Sequence, residues 1–161
     1  EIAEDIKKSF NNGGKVIFAG NGGSFADSQH LAAEFVCRFT TDRIPLPALA
    51  LATNSSTLTA IGNDYGFENI FSRELKAMAN KNDTLIALTT SGNSKNIINL
   101  INQAKQFPID YYILTGKFGG KFNENKKCLK VPSESTAIIQ QMHITIGHLV
   151  VGLVEKDFLK H

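Results

Sequence analysis

A chain of 161 residues, 42% hydrophobic and 20% charged, is sized for one soluble domain with a sizeable core. Its formal net charge of +2 is too small for an electrostatic nucleic-acid binder. Its two cysteines, Cys37 and Cys128, stand in no metal-ligand spacing and fit free thiols in a reducing, cytoplasmic compartment.

Ile2, Ile6 and Phe10 repeat at helical spacing, so the chain opens on a helix that Gly13-Gly14 stops. The start at Glu1, without methionine, leads us to expect a leader or a further helical segment before it. KVIFA (15–19) is an apolar, β-branched strand, and a helix follows over 25–39. ALALA (48–52), behind Pro45 and Pro47, reads as a buried strand. The stretch 55–79 is helical with a break at Gly62–Gly66. TLIALTT (84–90) is the clearest strand, residues 95–106 are helical, and Pro108 lies just beyond. DYYILT (110–115) and CLKV (128–131) make two more strands. The basic stretch from Lys117 to Lys130 reads mainly as a solvated loop. A C-terminal helix covers 134–160, apolar nearly all round and so expected to be buried. No apolar run reaches the ~18 residues of a membrane span, and no signal peptide is visible.

Apolar strands alternating with helices imply an α/β fold, a parallel sheet covered on both faces. Ligands then gather beyond the carboxyl ends of the strands. The first strand ends in GNGGS, where Gly20, Gly22 and Gly23 let backbone approach a ligand and Ser24 is placed to cap the next helix. Phe25 stands where a dinucleotide fingerprint needs its third glycine, so that motif fails. The third strand ends in TTSGNS, with Thr89, Thr90, Ser91 and Ser94 around Gly92 and a helix behind them. Each residue alone suits a cap or a strand end; together they form an anion site for a phosphate.

His30 and Glu34 lie four apart, neighbours on one helix face roughly 6 Å apart along the axis. That pair suits metal ligation or proton transfer. Arg38 continues the same stripe. On the C-terminal helix the polar residues Gln140, Gln141, His143 and His148 need partners if buried. Gln141 shares a stripe with His148, and Gln140 sits about 80° from it, so spacing leaves open which glutamine faces that histidine.

GNGGS…HLAAEF, GNDYGF (62–67), LTTSGNS (88–94), LTGKFGG (114–120) and IQQMHITIGH (139–148) together resemble the sugar isomerase (SIS) domain. They are most similar to the family of sedoheptulose 7-phosphate isomerases, along essentially the whole chain. The resemblance implies a flavodoxin-like three-layer αβα sandwich with a five-stranded parallel sheet, as a single domain over 1–161. It implies a homotetramer with active sites at subunit contacts, acting on a sugar phosphate, with no nucleic-acid or membrane partner. By position, Glu34 and His148 match the family's catalytic pair. His30, Glu34, Gln140 and His148 match a Zn2+ site found in some members. Asn21, Gly22, Gly23, Ser24, Arg38, Asn63, Asp64, Thr89, Thr90, Ser91, Ser94 and Gln140 match substrate-contacting positions. The last helix departs from the family pattern at Ala137, Ile138 and Gln141. The implied reaction turns sedoheptulose 7-phosphate into D-glycero-D-manno-heptose 7-phosphate for heptose precursors. A non-catalytic sugar-phosphate-binding regulator is the second reading.

Overall fold

In the computed structural model, which describes residues 1–159, five parallel strands lie between two helical layers. In chain order the elements are α1 (Ile2–Asn11), β1 (Val16–Gly20), α2 (Gly23–Val36), β2 (Ala48–Ala50), α3 (Ser55–Tyr65), α4 (Ile70–Met78), β3 (Thr84–Leu88), α5 (Lys95–Ala104), β4 (Asp110–Thr115), β5 (Cys128–Lys130) and α6 (Thr136–Glu155). The strand order is β2-β1-β3-β4-β5, every pair parallel. That is the flavodoxin-like order, and its direction reverses between β1 and β3.

Every residue of β1 and β3 is buried, as their unbroken apolar runs require of a sheet covered twice. Alternate side chains serve opposite layers. Val16, Phe18, Ile86 and Leu114 pack with Ile6, Leu31 and Val151 of α1, α2 and α6. Ile17, Ala19, Leu85 and Ile113 pack with Ile61, Phe71 and Leu100 of α3, α4 and α5. The expected break in 55–79 falls at Gly66, whose φ of 88° ends α3; Gly62 stays helical.

Two helix expectations need correction. The helix read over 25–39 ends at Val36. One more turn would need Arg38 and Phe39 N–H groups to bond the carbonyls of Glu34 and Phe35. Those carbonyls instead accept from the Arg43 guanidinium at 2.7 and 2.8 Å, and Phe39 N–H donates to Glu155 Oε2 at 3.0 Å. Arg38 therefore lies beyond the helix and does not extend the His30–Glu34 stripe.

The C-terminal helix is not buried all round. Ile139, His143, Val151 and Val154 face inward, while Ile138, Met142, Leu149 and Leu153 are 51%, 40%, 63% and 51% exposed. Those four share one stripe of the helix. By length and composition the segment Thr136–Phe158 is apolar enough to cross a membrane, against the expectation from its interrupted sequence. Its inward face, however, is packed on the sheet and on α2. There Gly147 leaves no room for a Cβ, which would come within 2.5 Å of Leu31 Cδ2.

Candidate active site

β1 runs out at Gly20, and α2 starts at Gly23 with Gly22 (φ 57°) as its cap residue. The expected Ser24 cap is not formed: Ser24 sits buried inside the first turn, its carbonyl accepting from Ser28 Oγ at 2.7 Å. Asn21 is half-buried in this loop and exchanges two hydrogen bonds with Asn96 of α5.

Two turns along α2, His30 and Glu34 meet His148 of α6. His30 Nε2 lies 2.9 Å from His148 Nε2 and 3.3 Å from Glu34 Oε1. The three donor atoms all fall within 4.8 Å of one another. Two imidazole nitrogens and one carboxylate oxygen are the donor set a zinc-like cation takes, so the residues fit a Zn2+ ion. Phe39 stacks on the His148 ring at 5.3 Å and 26°. The side chain of Glu34 is only 20% exposed and that of His30 49%, so the group is reachable from solvent. Asp27 stands one turn before His30. Burial pushes its carboxyl pKa up, partly opposed by the charges of His30 and His148.

Gln140 is placed elsewhere. Its amide lies over Gly23, where a Cβ would come within 2.6 Å of Gln140 Nε2. That is about 12 Å up α6 from His148 by helical rise. Gln140 thus borders the glycine loop rather than the three-residue group. Gln141 and Met142 are exposed. His143 is fully buried, its Nε2–H donating to Thr115 O at 3.2 Å, and burial holds its pKa below the ordinary value, so it is neutral.

The TTSGNS loop closes β3 beside the same sheet end. Thr89 Oγ1 accepts from Gly92 N–H at 3.3 Å and Ser91 Oγ from Asn93 N–H at 3.1 Å, so two hydroxyls shape the loop itself. Ser94 caps α5 by position, yet its hydroxyl makes no capping bond. A cleft of 330 Å³ opens here, lined by Thr90, Ser91, Gly116 and Lys117 among others. The loop after β4 locks this loop from behind: Gly116 N–H donates to Thr90 O at 3.0 Å and Lys121 N–H to Gly92 O at 3.1 Å. Gly92 (φ 67°) admits no side chain, since a Cβ there would collide with the Gly119 carbonyl.

Asn63 and Asp64 are exposed on the last turn of α3 and bond each other at 2.7 Å; no described contact joins them to the His30 group. Arg38 is likewise exposed and stands apart. Sequence reasoning passed over Asn96, Phe39 and the pair Arg43–Glu155. Only Asn96, a polar residue at the inward-facing start of an amphipathic helix, left a readable signal.

A glycine loop and a Ser/Thr-rich loop at the strand-order reversal, together with a His/Glu/His group on α2 and α6, mark this as a doubly wound parallel α/β domain with its candidate site at the carboxyl end of the sheet. The family model described as the SIS domain matches residues 1–116, and the chain belongs to that family. The chain is 53% identical to a phosphoheptose isomerase of Rhodospirillum rubrum over 156 residues, covering 96% of this chain and 83% of the relative. It is 48% identical to the phosphoheptose isomerase of Aneurinibacillus thermoaerophilus, covering 100% and 82%. The structure of a Francisella tularensis phosphoheptose isomerase superposes with a TM-score of 0.90 at 37% identity, over 96% of this chain and 83% of that one. Within the SIS domain family, the chain belongs with the phosphoheptose isomerases.

Proposed function

We propose that the chain interconverts sedoheptulose 7-phosphate and D-glycero-D-manno-heptose 7-phosphate through a cis-enediol. The observation that carries the reading is the convergence of Glu34 and His148, from two helices, in one group reachable from solvent. A ketose–aldose exchange moves one proton from C1 to C2 and another between O1 and O2. Glu34 carries the carbon proton and His148 the oxygen proton. Thr90 and Ser94, with the N-terminus of α5, hold the phosphate and orient the chain of carbons. Asn21, Gly22, Gly23, Ser24, Arg38, Asn63, Asp64 and Gln140 serve the sugar end. His30, Glu34 and His148 would hold Zn2+, with Gln140 as the fourth residue that the family resemblance assigns to the set. When bound, that ion polarises the substrate carbonyl and stabilises negative charge on the enediol oxygens. The product feeds heptose precursor synthesis in the cytoplasm. A catalytic pair in one group speaks against the regulator reading.

The test is incubation with sedoheptulose 7-phosphate in D2O, followed by NMR and mass. We expect aldose phosphate with deuterium at C2. Absence of aldose from folded protein, both with and without added Zn2+, would overturn the reading.

The exposed stripe Ile138, Met142, Leu149, Leu153 fits burial between copies of the chain, in a homotetramer. Sedimentation should give an oligomeric mass for the wild type. Leu149→Asp combined with Leu153→Asp should shift it to the monomer; an unchanged mass would exclude this stripe as the contact.

A further inference from the structure

We propose that Asn96 is a positioning residue for Asn21, and through it for the reacting end of the sugar; the inference rests on the isomerase reading above. Asn96 is the second residue of α5 and is 3% exposed. Its amide and that of Asn21 face each other edge to edge. Asn21 Nδ2–H donates to Asn96 Oδ1 at 2.9 Å, and Asn96 Nδ2–H donates back to Asn21 Oδ1 at 2.8 Å. The two residues belong to different strand–helix units, which adjoin only because the strand order reverses between β1 and β3. Among the described backbone hydrogen bonds none joins the Gly20–Gly23 loop to the first turn of α5. The amide pair is therefore the polar tie between the sugar-end loop and the helix that starts the phosphate end.

A buried amide is unfavourable unless partnered, and asparagine is a weak helix former, so a leucine here would serve the fold as well or better. What leucine lacks is the pair. A primary amide has two N–H donors and an oxygen with two lone pairs. The reciprocal pair uses the N–H and the lone pair on one edge of the Asn21 amide and leaves the other N–H and the other lone pair, which point apart on either side of Cβ. Paired Asn21 therefore offers a sugar oxygen one donor or one acceptor, from a fixed amide plane. Without Asn96 the amide turns freely and must be ordered each time sugar binds.

The experiment compares wild type, Asn96→Leu and Asn96→Asp by calorimetric binding of sedoheptulose 7-phosphate and by steady-state kinetics, with thermal midpoints alongside. Asn96→Leu should raise KM and Kd about tenfold, the scale of one hydrogen bond, with a smaller change in kcat and little change in midpoint. Asn96→Asp is the sharper variant. As a carboxylate it sets an oxygen against Asn21 Oδ1 and breaks the pair. As a neutral carboxyl group it donates to Asn21 Oδ1 and accepts from Nδ2, which restores the pair atom for atom. Burial raises such a carboxyl pKa, and the nearest charged neighbour in sequence, Lys95, is exposed. The ratio of variant to wild-type kcat/KM should therefore climb as pH falls from about 8 to about 5.5. pH effects common to both proteins cancel in that ratio.

A KM and Kd within about twofold of wild type in Asn96→Leu would overturn the inference. So would an Asn96→Asp ratio that is flat with pH, which also decides the matter if the leucine variant fails to fold. A wild type that neither binds nor turns over the sugar phosphate sinks the isomerase reading and this one together. A working wild type with indifferent variants sinks this one alone.

Discussion

Glu34→Gln should leave a folded protein whose isomerase turnover is down by about 10²–10⁴-fold. The substitution keeps the side chain's shape and one oxygen to face His30, 3.3 Å away in the wild type. It removes the group that takes a proton from carbon. Because Glu34 is partly exposed and pairs only at the helix surface, the stability change should be within about 0.5 kcal/mol. Deuterium uptake from D2O at the substrate's C1 should fall in parallel with kcat, since both need the same proton transfer. KM should move far less, because Glu34 acts on the transition state rather than on the phosphate. Full turnover in this variant would remove Glu34 from the chemistry and leave its carboxylate as a metal ligand alone.

The largest stability effect is expected at Arg43 and Glu155, which are 3% and 2% exposed. Arg43 Nε lies 3.3 Å from Glu155 Oε2, an ion pair without hydrogen-bond alignment, while its terminal nitrogens cap α2. Glu155 also accepts from Thr40 Oγ1 at 2.6 Å and from the N–H groups of Phe39, Thr40 and Thr41. Burial would push the Glu155 carboxyl up, but the Thr40 hydroxyl and those N–H groups outweigh it and hold its pKa below the ordinary value. Arg43→Leu removes the countercharge of a buried carboxylate and the guanidinium bonds to the Glu34 and Phe35 carbonyls, and should cost about 3–5 kcal/mol. Urea unfolding monitored by circular dichroism reads this directly, and a loss under about 1 kcal/mol would refute it. The sign of the pH effect follows from the depressed pKa. The contribution of Glu155 is full above its ordinary value of 4.5 and fades as pH falls through the lower folded value. In acid, then, the gap between wild type and Arg43→Leu should narrow. Pairing Arg43→Leu with Glu155→Leu should cost less than the sum of the two single changes.

The layers were legible because the strands carry their own evidence. Val16 to Gly20 and Leu85 to Leu88 are apolar at every position and buried throughout, which only a doubly covered sheet explains. His30 and Glu34 share a helix face by period alone, and that pairing is visible before any fold. The meeting with His148, 118 residues away, is a tertiary fact that no local period encodes. The end of α2 was misread for the same reason. Nothing between Val36 and Phe39 breaks a helix; Arg43 and Glu155 do so from a distance. The outward stripe of α6 was hidden by composition, since a helix apolar all round reads as buried whether its cover is its own chain or another.

The three residues of the candidate proton-transfer group ride on α2 and α6, whereas the candidate sugar and phosphate contacts sit mostly on the turns that follow β1 and β3. Gly147 seated against Leu31 brings the two helices into close contact, with no room there for a Cβ. Turns of this kind accept substitutions and changes of length that a close-packed helix pair does not. A lineage, or an engineer, could therefore exchange one sugar phosphate for another by rewriting the turns while inheriting the helix pair unaltered. The reaction would stay fixed as the repertoire of substrates drifted.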